Sequence, residues 1–458
     1  MSSEFYDVHL TATIIVNSAL QIGASVQTYN HEVECCKDTD DNPYFPASTI
    51  KGSMLDFAPT ALMSEDIGRV FGKDASLENS ITNDGKQSSM GGQVMFLDAL
   101  LDTENSPQKD KRLITRKRNS IDPITGTAKE HHLYETELVA PDCRFTLSLK
   151  LSKATKEQLN QLTALVADWG QSFQLGRGEN NNQGQCKLLE GSLKITGQTA
   201  NQLITWLNDT TSTKTNTPAN LFEHGVNKPT ASKIKDTQWF SIDICLTPIS
   251  PVFTFNKTVS KQCNSTNVEF ATFDSVGAGN NLRQIIHPSS IRGALRGQAV
   301  RILNTLQQRC SREELEATEQ QLTALFGSEN CAANLKITPF IAKSTDVHDQ
   351  NFIGIDRFTG GVADQHNYNI ERPYSQKLKG QLQIRNQLIS LAQQQDADPN
   401  PPKGSLTPQQ ARAAITLLLF LLRDLIDGEI LLGGLKAKGF GQVQACIAQP
   451  KQNTDYTA

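Results

Sequence analysis

Gly354-Ile355-Asp356-Arg357-Phe358-Thr359-Gly360-Gly361-Val362-Ala363, followed by Glu371, has a counterpart earlier in the chain. The counterpart is Ser120-Ile121-Asp122-Pro123-Ile124-Thr125-Gly126-Thr127-Ala128, followed by Glu135 and Glu137. Asp, Thr and Gly cluster where a chain turns sharply and side chains hydrogen-bond the local backbone. Working outward from this pair, three more landmarks recur in the same order. Pro46-Ala47-Ser48-Thr49-Ile50-Lys51-Gly52 answers His287-Pro288-Ser289-Ser290-Ile291-Arg292-Gly293. Val70-Phe71-Gly72 answers Leu325-Phe326-Gly327. A glycine loop ending at Gly184 answers one ending at Gly441. The separations are 241 for Gly52 and Gly293, 255 for Phe71 and Phe326, 234 for Asp122 and Asp356, and 257 for Gly184 and Gly441. One such match could arise by chance, whereas four in order indicate a tandem duplication.

Each half reads as strand, helix, strand, strand, helix, strand, which predicts an α+β fold with two ferredoxin-like βαββαβ cores. In the first half, residues 8–16 alternate as a strand. Ser48 or Thr49 is expected to cap the helix that follows Pro46, leaving backbone N–H groups free at its start. A helix from about Thr155 places Leu159, Leu162, Val166 and Trp169 on one face. In the second half a strand covers about 240–246, and Thr407-Pro408 predicts a helix start with Pro in the first turn. That helix is expected to end at Gly428. Ser311-Arg312-Glu313-Glu314 has capping-box spacing. Residues 391–406 read as a mobile insertion, and 210–236, rich in Thr, Asn, Lys and Pro, as a linker. The predicted domains are 1–209 and 237–450, with a tail at 451–458.

The chain has 458 residues, a net charge of -4 and a pI near 6.1. Such a balance argues against a generally basic nucleic-acid binder and leaves room for local basic surfaces. Nine scattered cysteines without a CxxC pair fit a reducing cytoplasm. The first seven residues have neither the basic n-region nor the apolar core of a signal peptide. The longest apolar run, 415–422, is too short to span a bilayer and reads as a buried helix.

The ordered motif set, present twice, resembles the repeat-associated (RAMP) superfamily of CRISPR proteins. More narrowly it is similar to backbone subunits of type III effector complexes, and a chain with two such domains resembles the fused double-backbone subunit of type III-D. One departure is that Pro288 sits one residue closer to its Ile than Pro46 does. The resemblance implies an RRM-like palm in each domain and a hairpin thumb near each Asp motif. It further implies stacking along CRISPR RNA in an antiviral complex with other backbone, small and large subunits. Target RNA would pair with the guide, each thumb would displace a base pair, and an acidic residue before the Ile-Lys/Arg-Gly helix would support cleavage. Products would carry a 2′,3′-cyclic phosphate and a 5′-hydroxyl. The alternatives are a purely structural guide-binding subunit and a stand-alone RNA-processing endonuclease.

Several residues carry the expected chemistry. Asp274 is the sole Asp of the second half's polar loop, with Glu269 the other acid there, and a carboxylate can orient or deprotonate a ribose 2′-OH. The bland alternative for Asp274 is an Asx-turn before Gly277. Counting back 241 residues lands on Val33, flanked by Glu32 and Glu34 with His31 and Asp38 near. An Mg2+ ion would neutralise the developing phosphorane charge, while no organic cofactor is indicated. Gly433, Gly434, Gly439 and Gly441 allow close backbone approach to a phosphate, with Lys436 and Lys438 adding charge. The first loop keeps Gly176, Arg177 and Gly178 but continues Glu179-Asn180-Asn181-Asn182-Gln183 and is less basic. Further RNA-contact candidates are Lys51, Arg292, Arg357 and the run Lys109, Lys111, Arg112, Arg116, Lys117, Arg118 before the first Asp motif. His31, Cys35 and Cys36 are a poor zinc set, because vicinal cysteines do not match ligand spacing. His131, His132 and His366 fall in the expected thumbs.

Overall fold

The structure is a computed structural model that describes residues 4–23, 34–57, 71, 92–122, 128–208, 218–229, 238–254, 268–269, 273–275, 282–306, 308, 319–328, 331–394 and 406–447. The chain divides into two compact units, one of residues 1–114, 136–179 and 183–235, the other of 115–135, 180–182 and 236–458.

In the first half the strands are β1 (Glu4–Val16), β2 (Val94–Phe96), β3 (Leu100–Leu101), β4 (Leu113–Ile121), β5 (Ala128–Val139), β6 (Arg144–Thr155), β7 (Phe173–Gln174), β8 (Gln185–Leu188), β9 (Lys194–Thr199) and β10 (Ala219–Asn220). The helices are α1 (Ala47–Phe57), α2 (Lys156–Trp169) and α3 (Ala200–Asn208). β1 pairs with β6 on one side and with β8 and β9 on the other, while β2 and β3 pair with the far edge of β6. The spatial order is therefore fourth, first, third, second, with α1 and α2 as the two connections, which is the ferredoxin-like arrangement. Val8, Leu10, Ala12, Ile14 and Val16 point inward at alternate positions and meet Leu151, Leu149, Leu147 and Phe145 of β6. A bulge at Asp7, whose φ is 45°, breaks the alternation so that Phe5 and Val8 both face the core.

The second half repeats the plan. Its strands are β11 (Trp239–Pro248), β12 (Val268–Glu269), β13 (Phe273–Ser275), β14 (Leu282–Ile286), β15 (Leu335–Ile337), β16 (Phe340–Ala342), β17 (Thr345–Ile355), β18 (Val362–Ser375), β19 (Leu378–Arg385) and β20 (Val443–Ile447). Its helices are α4 (Pro288–Leu306), α5 (Glu319–Phe326), α6 (Asn386–Ala392) and α7 (Pro408–Asp427). The sheet runs β13-β14-β16-β19-β11-β20, with β15 also on β19. Both predicted helix starts are realised with full capping boxes, Thr155 with Gln158 and Thr407 with Gln410. Leu159, Leu162, Val166 and Trp169 are all buried, and α7 ends at Gly428 in the left-handed conformation.

Three expectations change. Ser48 and Thr49 lie inside α1, which begins at Ala47, and the Ala47 N–H donates to the Asp98 carboxylate at 2.8 Å. A distant acid at the positive end of the helix thus replaces a local hydroxyl cap. Residues 218–229, within the stretch read as a linker, pack on the first sheet. Ala219 and Asn220 pair with Gly197 and Thr196, and Leu221 and Val226 enter the core. Two apolar side chains suffice to draw an otherwise polar segment onto the sheet. The stretch read as an insertion from 391 begins inside α6, and 395–405 lie outside the described residues, as does the Ser311 capping box.

Each Asp motif joins the two strands of a long hairpin inserted between the second and third palm strands. These are β4 with β5 and β17 with β18. At the second tip the Asp356 carboxylate accepts the Phe358 N–H at 2.7 Å, its carbonyl accepts the Gly360 N–H, and Gly360 has φ 67°.

Candidate nucleic-acid interface

Residues 175–185 and 432–442 form the two glycine loops, and they share one backbone path. The Leu175 N–H donates to Gly184 O, Arg177 N–H to Gln21 O and Gly184 N–H to Ala19 O. Leu432 N–H donates to Gly441 O, Gly434 N–H to Phe253 O and Gly441 N–H to Pro251 O. The matching loop positions lie 257 residues apart. A Cβ on Gly176 would meet Gln21 O at 2.1 Å, and one on Gly433 would meet Phe253 O at 2.3 Å. Gly184 and Gly441 are equally close to the carbonyls of Leu175 and Leu432. These four glycines exist for backbone against backbone inside the protein. Gly439 differs: a Cβ there would meet nothing within 4 Å, and its φ is 83°.

The short 3-10 turn at the loop's outer end carries the difference. The first loop has Glu179-Asn180-Asn181 there, and the second has Lys436-Ala437-Lys438. Partial desolvation first, and then the nearby Arg301 guanidinium of α4, push the ammonium of surface-exposed Lys436 below its ordinary value. Among the described residues neither Lys436 nor Arg301 has a carboxylate ion-pair partner. Lys438 places Nζ 4.4 Å from the Phe352 ring centroid of β17. Beside it Arg372 of β18 lies over both Tyr374 and Phe440, at 5.0 and 5.8 Å, with its Nε buried and without a partner among the described residues. Phe352 and Phe440 are 6.1 Å apart. The aromatic and cationic ladder thus ties the second loop to the root of the second hairpin. Phe352, Arg372 and Phe440 carried no sequence signal of their own, because the contacts join positions about 70–90 residues apart.

The acidic candidates belong to one short hairpin in each half. Asp274 lies in β13, a strand rather than the expected polar loop, opposite Arg283 of β14. The neighbouring Gln284 is 1% exposed and clamps this region. Its side chain donates to Val252 O and accepts from the Ser375 hydroxyl, and its N–H donates to Thr345 Oγ1. Thr345 and Ser375 are the first residue pair of the β17–β18 hairpin, so Gln284 joins the Asp274 strand to the root of that hairpin. In the first half the bridge from Phe45 to Ala99 corresponds to that from Ile286 to Phe340 at a separation of 241. Two residues back, Lys37 bridges Pro43, as Phe273 pairs with Gln284. The residue matching Asp274 is therefore Asp38, not Val33, because the first hairpin is five residues shorter. The Asp38 carboxylate accepts the N–H groups of Asp40 and Asn42, both at 2.9 Å, and closes that shorter turn. Glu34 is partly buried, and Glu32 and His31 lie outside the described residues.

The remaining basic candidates separate into framework and surface. Arg112 is 9% exposed, and its guanidinium donates to Pro107 O, Asn42 Oδ1 and Thr103 O. Arg292 donates to Phe326 O and to Leu335 O, lies 5.6 Å from the Phe326 ring, and is lowered to about 10 by burial and then by Arg296. In the second half the Arg of Ile-Arg-Gly thus holds the backbone of Phe-Gly. Both arginines are structural fasteners rather than free phosphate ligands. Lys51 occupies the matching place on α1 and is partly exposed. Lys109 donates to Asp40 O, Lys111 is exposed, Arg116 is partly exposed in β4, and Arg118 lies on the same strand. Arg177 and Arg357 are exposed, and Phe358 beside Arg357 is 100% exposed at the hairpin tip.

Cys35 donates its thiol to Glu137 O, and the Glu137 carboxylate accepts the Cys35 N–H and pairs with Lys37 at 3.0 Å. Burial pushes the Cys35 thiol up to about 12, which opposes the thiolate a zinc ion requires. Among the described residues no group of three His, Cys, Asp or Glu side chains could hold a metal ion. No described helix is long and apolar enough to cross a membrane.

A comparison with protein-family models matches the RAMP superfamily over residues 18–187 and again over 275–444. A search of curated proteins finds no match. Among solved structures 205 chains match. One is a chain of the cryo-EM structure of the Type III-B Cmr-beta bound to cognate target RNA, at 14% identity and a TM-score of 0.33, covering 40% of this chain and 97% of that one.

Proposed function

This chain belongs to the RAMP superfamily, with one domain in each half, and on that premise we propose that it is a CRISPR RNA-binding backbone subunit of a type III effector complex. The observation that carries the reading is the exposed turn of Lys436, Ala437 and Lys438 in the second glycine loop, tied through Phe352 to the second hairpin. Exposed ammonium groups on one short turn repel each other, and an anion between or beside them relieves that cost. A nucleic-acid phosphate is such an anion, and Lys438 and exposed Gly439 extend the surface. Contacts of this kind position an RNA strand without reading its bases. That suits a subunit whose specificity comes from a base-paired guide.

In this reading the phosphate-holding loop and the hairpin move as one body through the ladder of Lys438, Phe352, Phe440 and Arg372. The hairpin tip, with Arg357 and Phe358, stands against the guide–target duplex. Asp274 accepts the proton of a target 2′-OH at the nucleotide displaced there. The oxygen then attacks the adjacent phosphorus in line, and the 5′-oxygen leaves as a hydroxyl. The other product keeps a 2′,3′-cyclic phosphate. An Mg2+ ion, when bound, would supply charge neutralisation beside the phosphorane, and the described side chains do not form a site for it. Asp38, spent on its own turn, leaves the first domain as a binding domain. Two fused domains favour the type III-D arrangement, with guide RNA, target RNA and further backbone, small and large subunits as cytoplasmic partners. A structural subunit without catalysis is the second reading, favoured by the engaged state of Asp38.

The test is co-purification from the native operon, followed by target cleavage with the assembled complex. Guide RNA and partner subunits recovered with the wild-type chain support the proposal. A chain recovered alone and free of RNA overturns it.

A further inference from the structure

Cys245 of β11 and Cys446 of β20 stand directly opposite each other in an antiparallel pair. Their side chains therefore leave the same face of the sheet, with Cβ atoms about 4.5–5.5 Å apart. A disulfide needs Cα atoms roughly 4.4–6.8 Å apart and Cβ atoms about 3.5–4.5 Å apart, so only a small closure separates the two geometries. Both cysteines are free thiols, Cys446 exposed and Cys245 partly exposed. Cys35, Cys143 and Cys186 contrast with them, being buried, each with its thiol pushed up to about 12 by that burial. On its other side Cys245 faces Lys379 of β19, so the row across the sheet is ammonium, thiol, thiol.

The position gives the pair a consequence. β20 is a five-residue strand at the edge of the sheet, and it carries the chain away from the second glycine loop. A short edge strand frays readily, and its strand partner is β11. A bond from Cys446 to Cys245 would staple the strand and the loop's exit to the centre of the sheet.

We propose that Cys245 and Cys446 form a reactive cross-strand dithiol that closes to an intramolecular disulfide by exchange with a low-molecular-weight disulfide. The Cys446 thiolate attacks one sulfur of the small disulfide, forms a mixed disulfide and expels the first small thiol. The Cys245 thiolate then attacks Cys446 Sγ and expels the second. The protein loses two protons and two electrons, and the small disulfide is reduced to two thiols. The inference stands independently of RNA binding.

The experiment uses the full chain, incubated with excess oxidised glutathione, alkylated under denaturing conditions and digested for mass spectrometry. The expected product is one peptide linking Cys245 to Cys446, two hydrogens lighter than its separate halves. The oxidised protein should melt several degrees higher than the reduced protein. Phenylarsine oxide, which bridges paired thiols, should bind reduced wild type at one equivalent and Cys446→Ser and Cys245→Ser not at all. Recovery of both cysteines separately alkylated or glutathionylated overturns the proposal. So does a linkage spread equally over Cys36 and Cys331, or arsenical binding that survives both substitutions.

Discussion

Residues 175–185 and 432–442 follow the same path with three matching backbone hydrogen bonds, yet one presents Glu179 and two asparagines where the other presents Lys436 and Lys438. The backbone is kept because each loop must thread past a neighbouring segment's carbonyl groups, a demand internal to the protein. The outer turn faces solvent and was free to diverge. The same division appears at the acids. Asp38 and Asp274 occupy matching register positions, but a hairpin shorter by five residues turns Asp38 into a local hydrogen-bond acceptor. Duplicated domains thus keep what packing requires and part company at exposed turns.

The largest expected effect breaks the pair of acids. Asp274→Ala should slow one cut in target RNA by about 100-fold or more, the usual scale for losing a general base, with target binding kept. Asp38→Ala should leave the cutting pattern unchanged and lower the melting temperature, since two turn hydrogen bonds disappear. A product ladder from labelled target decides between them, and equal behaviour of the two variants would end the asymmetry.

The inner glycines should behave alike in both halves. Gly176→Ala and Gly433→Ala each place a Cβ against a carbonyl oxygen at positive φ, 76° and 79°. Each should cost about 1–3 kcal/mol in chemical unfolding. A variant without loss would show that the loop can shift. The outer turns should differ instead. Lys436→Ala with Lys438→Ala should reduce the slope of log affinity against log salt by about 1–2, as two phosphate contacts vanish. Glu179→Lys with Asn181→Lys should raise it. An unchanged slope in the first variant would make the second loop a plain turn.

The smallest effect sharpens the link from loop to hairpin. Phe440→Leu keeps the apolar character but removes the ring under Arg372, a loss of about 0.5–1 kcal/mol. RNA affinity should fall only a few-fold. The matching Gln183→Leu in the first half should not touch RNA affinity, because among the described residues no such ladder of rings and cations joins that loop to its hairpin.

Much of the fold was legible because its signals are local. Alternation in β1, the Thr155 and Thr407 caps and the helical stripe of Leu159, Leu162, Val166 and Trp169 each lie within one element. The roles of individual cations were not legible. Arg112 and Arg292 look like phosphate ligands in a list of residues, yet both are enclosed by carbonyl oxygens. Nothing within a few residues of either announces that enclosure. Counting back to Val33 failed for a similar reason, since sequence separation cannot register a hairpin shortened between two matching strand pairings.

Duplication and the order of the palm elements followed from the sequence alone, because motif order, period, caps and turn residues are written along the chain, while the places of the hairpins came from the family resemblance. The tertiary structure alone decided that Asp38 closes a local turn, which glycines serve packing, and which lysine lies in the field of Arg301. It also set Cys446 across from Cys245. Those outcomes depend on strand register and on burial between segments far apart in the chain, and electrostatic cost is fixed only once that burial exists.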